Sequence, residues 1–421
     1  MQYFRYQDNE LYCEDVLLKE LAEEFGTPLY VYSRRQIVEN FRAFEAPLVG
    51  MDHVICYALK ANANLSLLKL LLQEGAGADV VSGGELHLAI QAGFPPERIT
   101  FAGVGKREDE IDYALRSNIF SLNAESPQEL QLISLVALRL QTPARVALRI
   151  NPDIDPQSHP YITTGLKQNK FGISAEEALR VFQFAASLPG IQVVGVHTHI
   201  GSQITKIEPF VETAKFLAEL VRKLREAGIN VQHVDFGGGF GVQYANALRH
   251  EALPLEPDNA PPPKLGQFVE AVLPVLKETG CFLWFEPGRS IVADAGVLLT
   301  KVLYTKENGA RKFVVVDAGM NDLLRPSLYN AYHQIVPLKI ETYEHHRVDV
   351  VGPICETGDF LARDRMLSKV KRNDYLSILT AGAYGFSSTS NYNARPRPAE
   401  ILVNGEKVRV IREREAVERL R

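Results

Sequence analysis

Short apolar runs alternate with amphipathic segments from about residue 54 to residue 290. Eight of these runs have the length of buried strands and are almost continuously hydrophobic, as strands are when both faces of a parallel sheet are covered. In chain order they are VICYALKA from 54, ADVVS from 78, ITFAG from 99, IFSLNAES from 119, RVALRINP from 145, VVGVHTHIGS from 193, HVDFGGG from 233 and FLWFEPGR from 282. Eight strands alternating with helices predict an α/β fold, a closed parallel (β/α)8 barrel of the TIM type.

The segments between the strands show the residue spacing of amphipathic helices and residues typical of helix ends. NLSLLKLLLQEG has leucines at a 3.6-residue period and reaches Gly75, a residue typical of helix ends. SAEEALRVFQFAASLPG opens with Ser174 and Glu177 at the spacing of a capping box, which predicts a helix that starts at Ser174. Two further amphipathic helices are predicted, one ending at Gly228 and one running from Leu265 to Gly280.

The pattern changes outside the barrel segment. Residues 244–264 are rich in proline and polar residues, which predicts a loop insertion after the seventh strand. After residue 295, strand-like runs are separated by turns, which predicts a β-rich C-terminal domain of sandwich or barrel type. The strand-like PLYVYS near the N-terminus is expected to join it, so the domains are predicted as 1–33, 34–295 and 296–421. The final VRVIREREAVERLR is predicted as a solvated helix.

Composition and charge narrow the class of protein. The net charge is −5 and no lysine- or arginine-rich face stands out, which argues against nucleic-acid binding. The four cysteines (Cys13, Cys56, Cys281 and Cys355) form no CxxC pair, which argues against a disulfide framework and a structural zinc site. No apolar stretch has the length of a membrane span, and MQYFRYQDNE is too polar for a secretory signal. We expect a cytoplasmic enzyme.

Residues at the strand ends are the candidates for function, because active sites of parallel barrels gather there. Lys60 follows the apolar run of the first strand. A desolvated lysine is a usable nucleophile for a Schiff base, and the plain alternative is a lysine that caps the strand and reaches water. The other strand ends carry Ser82, Glu125, Arg149, Asn151, His199, Gly237 to Gly239, Glu286 and Arg289.

The histidines and glycines of this set each allow more than one interpretation. His197 and His199 share a strand face, yet no third ligand follows at metal-site spacing, so no metal is expected. A neutral imidazole stacked on an aromatic cofactor suits His199, and a packed core histidine suits His197. The glycines of DFGGGFG fit neither GxGxxG nor a P-loop; they can present N–H groups to a phosphate or make a tight turn beside a crowded neighbour.

A carboxylate, Glu286, and a thiol, Cys355, complete the candidate functional residues. Glu286 follows a very apolar strand, and a buried carboxylate needs a cationic partner. The pyridinium nitrogen of pyridoxal phosphate is one such partner, and Arg149 or Arg289 is the structural alternative. Cys355 in CETGD is either a small buried filler or a thiol acid.

Six motifs in this order make the chain resemble a known family. They are YALKAN, HTHIGSQ, DFGGGFG, FEPGRSIVADAG, CETGDF and GAYGFSSTSNYNARPRP. Together they resemble the diaminopimelate decarboxylases, which are pyridoxal-phosphate decarboxylases with the alanine-racemase-type barrel. The resemblance runs over nearly the whole chain and implies a lyase of lysine biosynthesis that releases CO2 from meso-diaminopimelate and forms L-lysine.

The resemblance also implies a role for individual residues. Lys60 would link to the cofactor through a Schiff base, His199 would stack on its ring and Glu286 would pair with its ring nitrogen. The phosphate would be held by Ser202, Gly238, Gly239, Gly288 and Arg289. The substrate-binding positions would be Arg289, Arg325, Tyr329, Glu356 and Tyr384, with Tyr384 also touching the cofactor. Cys355 would be the proton donor, and Cys355 and Glu356 would serve the opposite subunit of an obligate homodimer.

Charge supports the substrate assignment. Diaminopimelate carries an ammonium and a carboxylate at its far end, and two arginines with a glutamate (Arg289, Arg325 and Glu356) match that zwitterion. If RPSLYNAY is helical, Arg325 and Tyr329 lie one turn apart. The alternatives are a sibling decarboxylase for another amino acid with a distal carboxylate, such as carboxynorspermidine, and a non-catalytic pyridoxal-phosphate barrel protein.

Overall fold

The computed structural model describes residues 1–156, 164, 169–256 and 261–420. Within those ranges, no helix combines the length and the apolar character needed to cross a lipid bilayer. The four cysteines are all free thiols.

The chain forms short strands and mostly short helices. The strands are β1 (Phe4–Gln7), β2 (Glu10–Cys13), β3 (Val16–Leu17), β4 (Leu29–Ser33), β5 (His53–Ala58), β6 (Gly77–Val80), β7 (Ile99–Phe101), β8 (Ser121–Ala124), β9 (Ala144–Asn151), β10 (Ile173–Ser174), β11 (Ile191–His197), β12 (His233–Asp235), β13 (Phe282–Phe285), β14 (Gly296–Asn308), β15 (Arg311–Val316), β16 (Ile335–Pro337), β17 (His345–Val351), β18 (Phe360–Ser368), β19 (Tyr375–Ile378), β20 (Ala399–Asn404) and β21 (Lys407–Arg412). The helices are α1 (Leu18–Phe25), α2 (Arg34–Glu45), α3 (Leu65–Gln73), α4 (Gly83–Ala92), α5 (Glu108–Arg116), α6 (Pro127–Leu140), α7 (Ala178–Ser187), α8 (Glu208–Glu226), α9 (Leu265–Lys277), α10 (Arg289–Val292) and α11 (Arg325–Tyr329).

The chain divides into two compact units. The β unit comprises Met1–Asn40, Val242–Pro261 and Ile291–Arg421, and the barrel unit comprises Phe41–Gly241 and Pro262–Ser290. The segments 1–33, 34–295 and 296–421 expected from the sequence remain a proposal for the domain borders. The described part of the predicted loop insertion, 244–256 and 261–264, has neither helix nor strand, as expected; residues 257–260 lie outside the described ranges.

The barrel unit contains the predicted closed parallel sheet. Its strands pair in the order β5, β6, β7, β8, β9, β11, β12 and β13, and the pairing of β13 with β5 closes the ring. All eight apolar runs identified in the sequence are barrel strands, so the predicted (β/α)8 architecture is confirmed. The short strand β10 pairs with β9 outside the ring.

The helices pack apolar side chains against the outside of the barrel strands, and this packing stabilises the barrel. The long helix α8 buries residues spaced three or four apart, including Leu217, Leu220 and Leu224. The rings of Phe210 and Phe240 stack at a centroid distance of 4.7 Å. Burying side chains of this size removes large apolar areas from water and is the main stabilising contribution to such a shell.

The β unit contains two sheets. β1, β2 and β3 form a small antiparallel sheet, and β18, β17, β15, β14, β4, β20 and β21 form the path of a larger one, to which β16 and β19 are also joined. β4 lies between β14 and β20. The predicted β-rich domain is therefore confirmed, and the N-terminal segment contributes a central strand to it.

Two local predictions were wrong. The helix after β10 starts at Ala178, while Ser174 lies in β10, so Ser174 does not cap it. The C-terminal segment contains strand β21 where a helix was predicted. In the second case the alternating side chains of KVRVIR pair with β20, and this non-local pairing outweighs the local helix preference.

Candidate active site

The carboxyl ends of the barrel strands bring together polar groups that are far apart in the sequence. Because all eight strands are parallel, their carboxyl ends share one rim. The groups at or near that rim are Lys60 after β5, Asp79 in β6, Glu125 after β8, Arg149 in β9, His197 and His199 at the end of β11, Asp235 in β12 and Glu286 after β13. This rim is the candidate active site.

Lys60 is paired with a buried acid. Its Nζ lies 3.1 Å from Asp79 Oδ2; the lysine side chain is 33% exposed and the aspartate side chain is fully buried. Burial raises the pKa of Asp79 from 3.8 to about 7, assisted by the charge of Glu286 and opposed by that of Lys60. Lys60 is therefore held at the rim by an acid, which does not fit a lysine that merely extends into water. Asp79 was missed in the sequence, although an acid within ADVV is unusual for a buried strand.

Glu286 lies in a cluster of buried groups. His197 Nε2 is 3.2 Å from Glu286 Oε2, and both side chains are almost wholly buried. Burial alone would raise the pKa of Glu286, but the charge and hydrogen bond of His197, followed by the charge of Lys60, lower it well below its usual range. Arg149, one of the expected alternative partners, pairs with Glu125 at 2.9 Å instead. Arg289 lies against Ser202, with Nη2 donating to its Oγ at 2.8 Å.

Asp235 lies beside Glu286, and its pKa is shifted in the opposite direction. Burial raises the pKa of Asp235 well above its usual range, and the negative charge of Glu286 raises it further. Ligand-type atoms of His197, Asp235 and Glu286 lie within 4.8 Å of one another, a spacing also seen in metal sites. We interpret the cluster as an acid–base group, because the facing atoms of His197 and Glu286 already share a hydrogen bond and Asp235 accepts from two donors.

A chain of hydrogen bonds leads from the barrel interior to Asp235. Thr100 Oγ1 lies 3.2 Å from Ser121 Oγ, and Ser121 Oγ donates to Asn123 Oδ1 at 3.3 Å. The amide of Asn123 then donates to Asp235 Oδ2 at 3.3 Å, and the backbone N–H of Gly237 donates to Asp235 Oδ1 at 3.0 Å. Buried polar groups need such partners, so this chain orients Asp235 within the barrel.

His199 is held as a neutral imidazole. The backbone N–H of Gly238 donates to its Nδ1 at 3.1 Å, so that nitrogen carries no proton. Burial lowers the pKa of His199 well below its usual range, and the positive charges of Lys60 and Arg149 lower it further. A neutral ring can stack on an aromatic cofactor without bringing an extra positive charge into the site.

The glycine turn after β12 is crowded by backbone. A Cβ at Gly237 would lie 2.2 Å from the carbonyl oxygen of Thr198, and one at Gly238 would lie 2.2 Å from that of Glu286. Gly237 also has a left-handed φ of 71°. The crowded-turn interpretation of these glycines therefore has direct support, and their contribution to a phosphate site remains a proposal.

The remaining predicted site residues lie in the β unit. Arg325 starts α11 and Tyr329 ends it, so the predicted helical turn between them is confirmed. Cys355 is exposed, and its backbone N–H donates to Asn393 Oδ1 at 2.9 Å. Glu356 accepts a short hydrogen bond from the hydroxyl of Tyr392. Tyr384 has a left-handed φ of 56°, which is uncommon for a tyrosine and marks a constrained position.

The residues of the rim fit pyridoxal phosphate. Glu286 Oε1 is buried and, among the described residues, accepts no hydrogen bond from an N–H group or a hydroxyl; a protonated Asp235 shares a hydrogen bond with the same carboxylate. A protonated pyridine nitrogen is a donor of the kind such an oxygen needs. Lys60, neutral His199 and ionised Glu286 thus provide an amine, a flat uncharged ring and an anion for this cofactor.

Substitution of Asp79 tests the electrostatics of the rim. Because the folded protein binds the Asp79 proton more tightly than the unfolded chain does, this contribution to stability is complete below the unfolded pKa near 3.8 and is lost as the pH rises through about 7. We expect Asp79→Asn to flatten the fall in the free energy of unfolding of the apoprotein between about pH 4 and about pH 7, by up to about 4 kcal/mol over that range. Urea unfolding at several pH values measures this.

The matched control for that experiment is Asp109→Asn, because the Asp109 side chain is 69% exposed on a helix of the same unit. Its stability profile should run parallel to that of the unsubstituted protein. A wild-type pH slope in Asp79→Asn would contradict the assignment.

Comparisons with known proteins identify the family of the chain. The sequence profile of the family described as "Pyridoxal-dependent decarboxylase, pyridoxal binding domain" matches residues 34–293. Diaminopimelate decarboxylase of Aquifex aeolicus is 48% identical, with 98% of this chain and 95% of the relative covered. That of Pseudomonas aeruginosa is 47% identical, with 100% and 98% covered.

A solved structure shares the fold as well as the sequence. The crystal structure of diaminopimelate decarboxylase from Helicobacter pylori complexed with L-lysine is 43% identical, with a TM-score of 0.89 and 96% of this chain and 98% of that chain covered. Similarity of this extent, over both units, establishes the relationship. The chain belongs to the diaminopimelate decarboxylase family of pyridoxal-dependent decarboxylases.

Proposed function

We propose that the protein decarboxylates meso-diaminopimelate to L-lysine and CO2 with pyridoxal phosphate as its cofactor. The observation that carries the proposal is the placement of three groups at one barrel rim: Lys60 beside Asp79, a buried Glu286 that is hydrogen-bonded to His197, and His199, whose Nδ1 accepts from the backbone. The L-lysine bound in the structure of the Helicobacter pylori relative supports the product. The alternative functions are those of a sibling decarboxylase and of a non-catalytic pyridoxal-phosphate barrel protein. The substrate panel described below distinguishes them.

The buried acids maintain the charge that the reaction needs. Bound pyridoxal phosphate supplies an electron sink for the pair left on Cα when CO2 departs. Glu286 would keep a proton on the ring nitrogen of the bound cofactor, because its lowered pKa makes it the ionised member of the cluster. Asp235 retains its own proton and adds no second negative charge. His197 orients the Glu286 carboxylate through its ring nitrogen.

The rim residues orient the reacting groups. Lys60 would hold the cofactor through its amine. Asp79 holds Lys60 in place and, with a pKa of about 7, could accept or return a proton close to neutral pH. His199 would pack against the cofactor ring and help to orient the substrate. The residues that would hold the phosphate are Ser202, Gly238, Gly239, Gly288 and Arg289; the contact between Arg289 and Ser202 supports their acting together.

Arg289 and the remaining predicted residues recognise the substrate and supply a proton. Arg289, Arg325 and Glu356 match the ammonium and carboxylate of the distal end, with Tyr329 and Tyr384 completing the set. The exposed thiol of Cys355 donates the proton that Cα requires after CO2 leaves. We also propose a cytoplasmic homodimer in which Cys355 and Glu356 act in the opposite subunit's site; the four free thiols support a reducing compartment.

A substrate panel tests the reaction. We expect CO2 release from meso-diaminopimelate, with kcat/KM for ornithine, arginine and carboxynorspermidine lower by at least about a thousandfold, because a site built for a distal zwitterion is left with unpaired groups. Lys60→Ala is the inactive control. Equal turnover of carboxynorspermidine would favour the sibling enzyme, and the absence of turnover for every amino acid would favour the non-catalytic protein.

Subunit mixing tests the shared site. Lys60→Ala and Cys355→Ala are each expected to be inactive, whereas their mixture should recover roughly a quarter of wild-type activity, because half of the dimers are mixed and each of these has one intact site. A mixture of Lys60→Ala with Glu286→Gln is the matched control and should recover none, since both residues belong to the same barrel. No recovery in the first mixture, despite demonstrated exchange, would contradict the proposal.

A further inference from the structure

A buried histidine holds the guanidinium of Arg325. His333 is completely buried and Arg325 is 6% exposed. Arg325 Nη1 lies 2.8 Å from His333 Nε2, and His333 Nδ1 lies 2.9 Å from the carbonyl oxygen of Leu379. Each ring nitrogen of His333 therefore faces a defined partner.

These two partners determine the tautomer of His333. A backbone carbonyl only accepts hydrogen bonds, so Nδ1 must carry the proton. A guanidinium only donates, so Nε2 must be the acceptor and carries none. A doubly protonated ring would set two donors against each other at 2.8 Å. His333 is thus a neutral acceptor for Arg325.

The plane of the guanidinium is also fixed by an aromatic ring. The Cζ of Arg325 lies 4.6 Å from the ring centroid of Tyr244. The ring of His333 meets that of Tyr244 edge to face, with centroids 5.0 Å apart and an angle of 79°. Stacking and hydrogen bonding together reduce the rotamer freedom that Arg325 would otherwise lose when a ligand binds.

The backbone around His333 is tied at several points. The side chain of the next residue, Gln334, accepts from the N–H of Leu248 and donates to its carbonyl, both at 2.9 Å. The N–H of Leu379 donates to the carbonyl of Gln334 at 2.9 Å. Gln334 therefore ties the segment that carries His333 to Leu248 and to Leu379, which fixes the backbone from which the imidazole extends.

We propose that His333 is a positioning residue for substrate selection, which presents the Arg325 guanidinium to the distal carboxylate of the substrate. The inference rests on the proposed function, in which Arg325 binds that carboxylate. A neutral imidazole orients the guanidinium without adding the negative charge that an aspartate or glutamate in its place would bring. The imidazole itself therefore does not offset the positive charge that would attract the carboxylate.

Two small molecules isolate the distal carboxylate. Decarboxylation at one end of meso-diaminopimelate leaves the other end intact, so L-lysine keeps the distal carboxylate. Cadaverine is the same molecule without it. The ratio of their inhibition constants on the holoenzyme therefore measures recognition of this one group, separately from catalysis.

We expect His333→Phe to reduce the preference for L-lysine over cadaverine by at least about tenfold, because it removes a hydrogen bond to a charged group. KM for meso-diaminopimelate should rise by a similar factor, with a smaller change in kcat. His333→Gln, which retains an acceptor, should restore part of the preference. In an Arg325→Gln background, His333→Phe should have no further effect, because His333 acts through Arg325.

His345→Phe is the matched control, since the Nε2 of His345 lies 2.9 Å from the backbone carbonyl of Ala252 in the same unit, and this hydrogen-bond partner is not an arginine. It should leave the preference unchanged. Thermal unfolding and cofactor absorbance separate a positioning effect from misfolding. ¹⁵N NMR of histidine-labelled protein should show a neutral, Nδ1-protonated ring that disappears in His333→Gln.

The outcomes separate the inference from the proposed function. If Arg325→Gln abolishes the preference and His333→Phe does not, the role of His333 is wrong and that of Arg325 stands. If neither substitution changes the preference, the substrate role of Arg325 is wrong. An Nε2-protonated or doubly protonated His333 would overturn the inference whatever the inhibition data show.

Discussion

The pairing of Glu286 with His197 inside the barrel is the interaction on which the candidate site depends. A carboxylate buried this deeply would ordinarily take up a proton, because desolvation penalises its charge. His197 and, beyond it, Lys60 reverse that preference for Glu286. The barrel fold makes this possible, since parallel strands bring residues 197 and 286 to one rim although 89 positions separate them.

An ionised Glu286 influences the protonation of its neighbours. Its charge helps to raise the pKa values of Asp79 and Asp235, so three acids close together do not carry three negative charges. Asp79 is left as a group that titrates near neutral pH beside Lys60. In the β unit, too, a charged group has a neutral partner: His333 orients Arg325 without cancelling its charge.

Much of the fold and part of the site could be predicted from the sequence. Eight apolar runs predicted the barrel, because strands that are buried on both faces are almost continuously hydrophobic. Lys60, His199 and Glu286 were recognised as polar groups at the ends of these strands. Asp79, Asp235 and His333 were missed as functional groups, because their roles come from partners in distant segments. Ser174 and β21 were wrongly assigned since local propensity was outweighed by strand pairing.

The most direct test is the protonation state of the cofactor's ring nitrogen, read by ¹⁵N NMR of holoenzyme loaded with ring-labelled pyridoxal phosphate. The account predicts a protonated nitrogen in the unsubstituted protein and in Asp235→Asn, where the amide replaces an already neutral acid. It predicts an unprotonated nitrogen in Glu286→Gln, because the balancing anion is gone. An unprotonated nitrogen in the unsubstituted protein, or an unchanged signal in Glu286→Gln, would contradict the central claim.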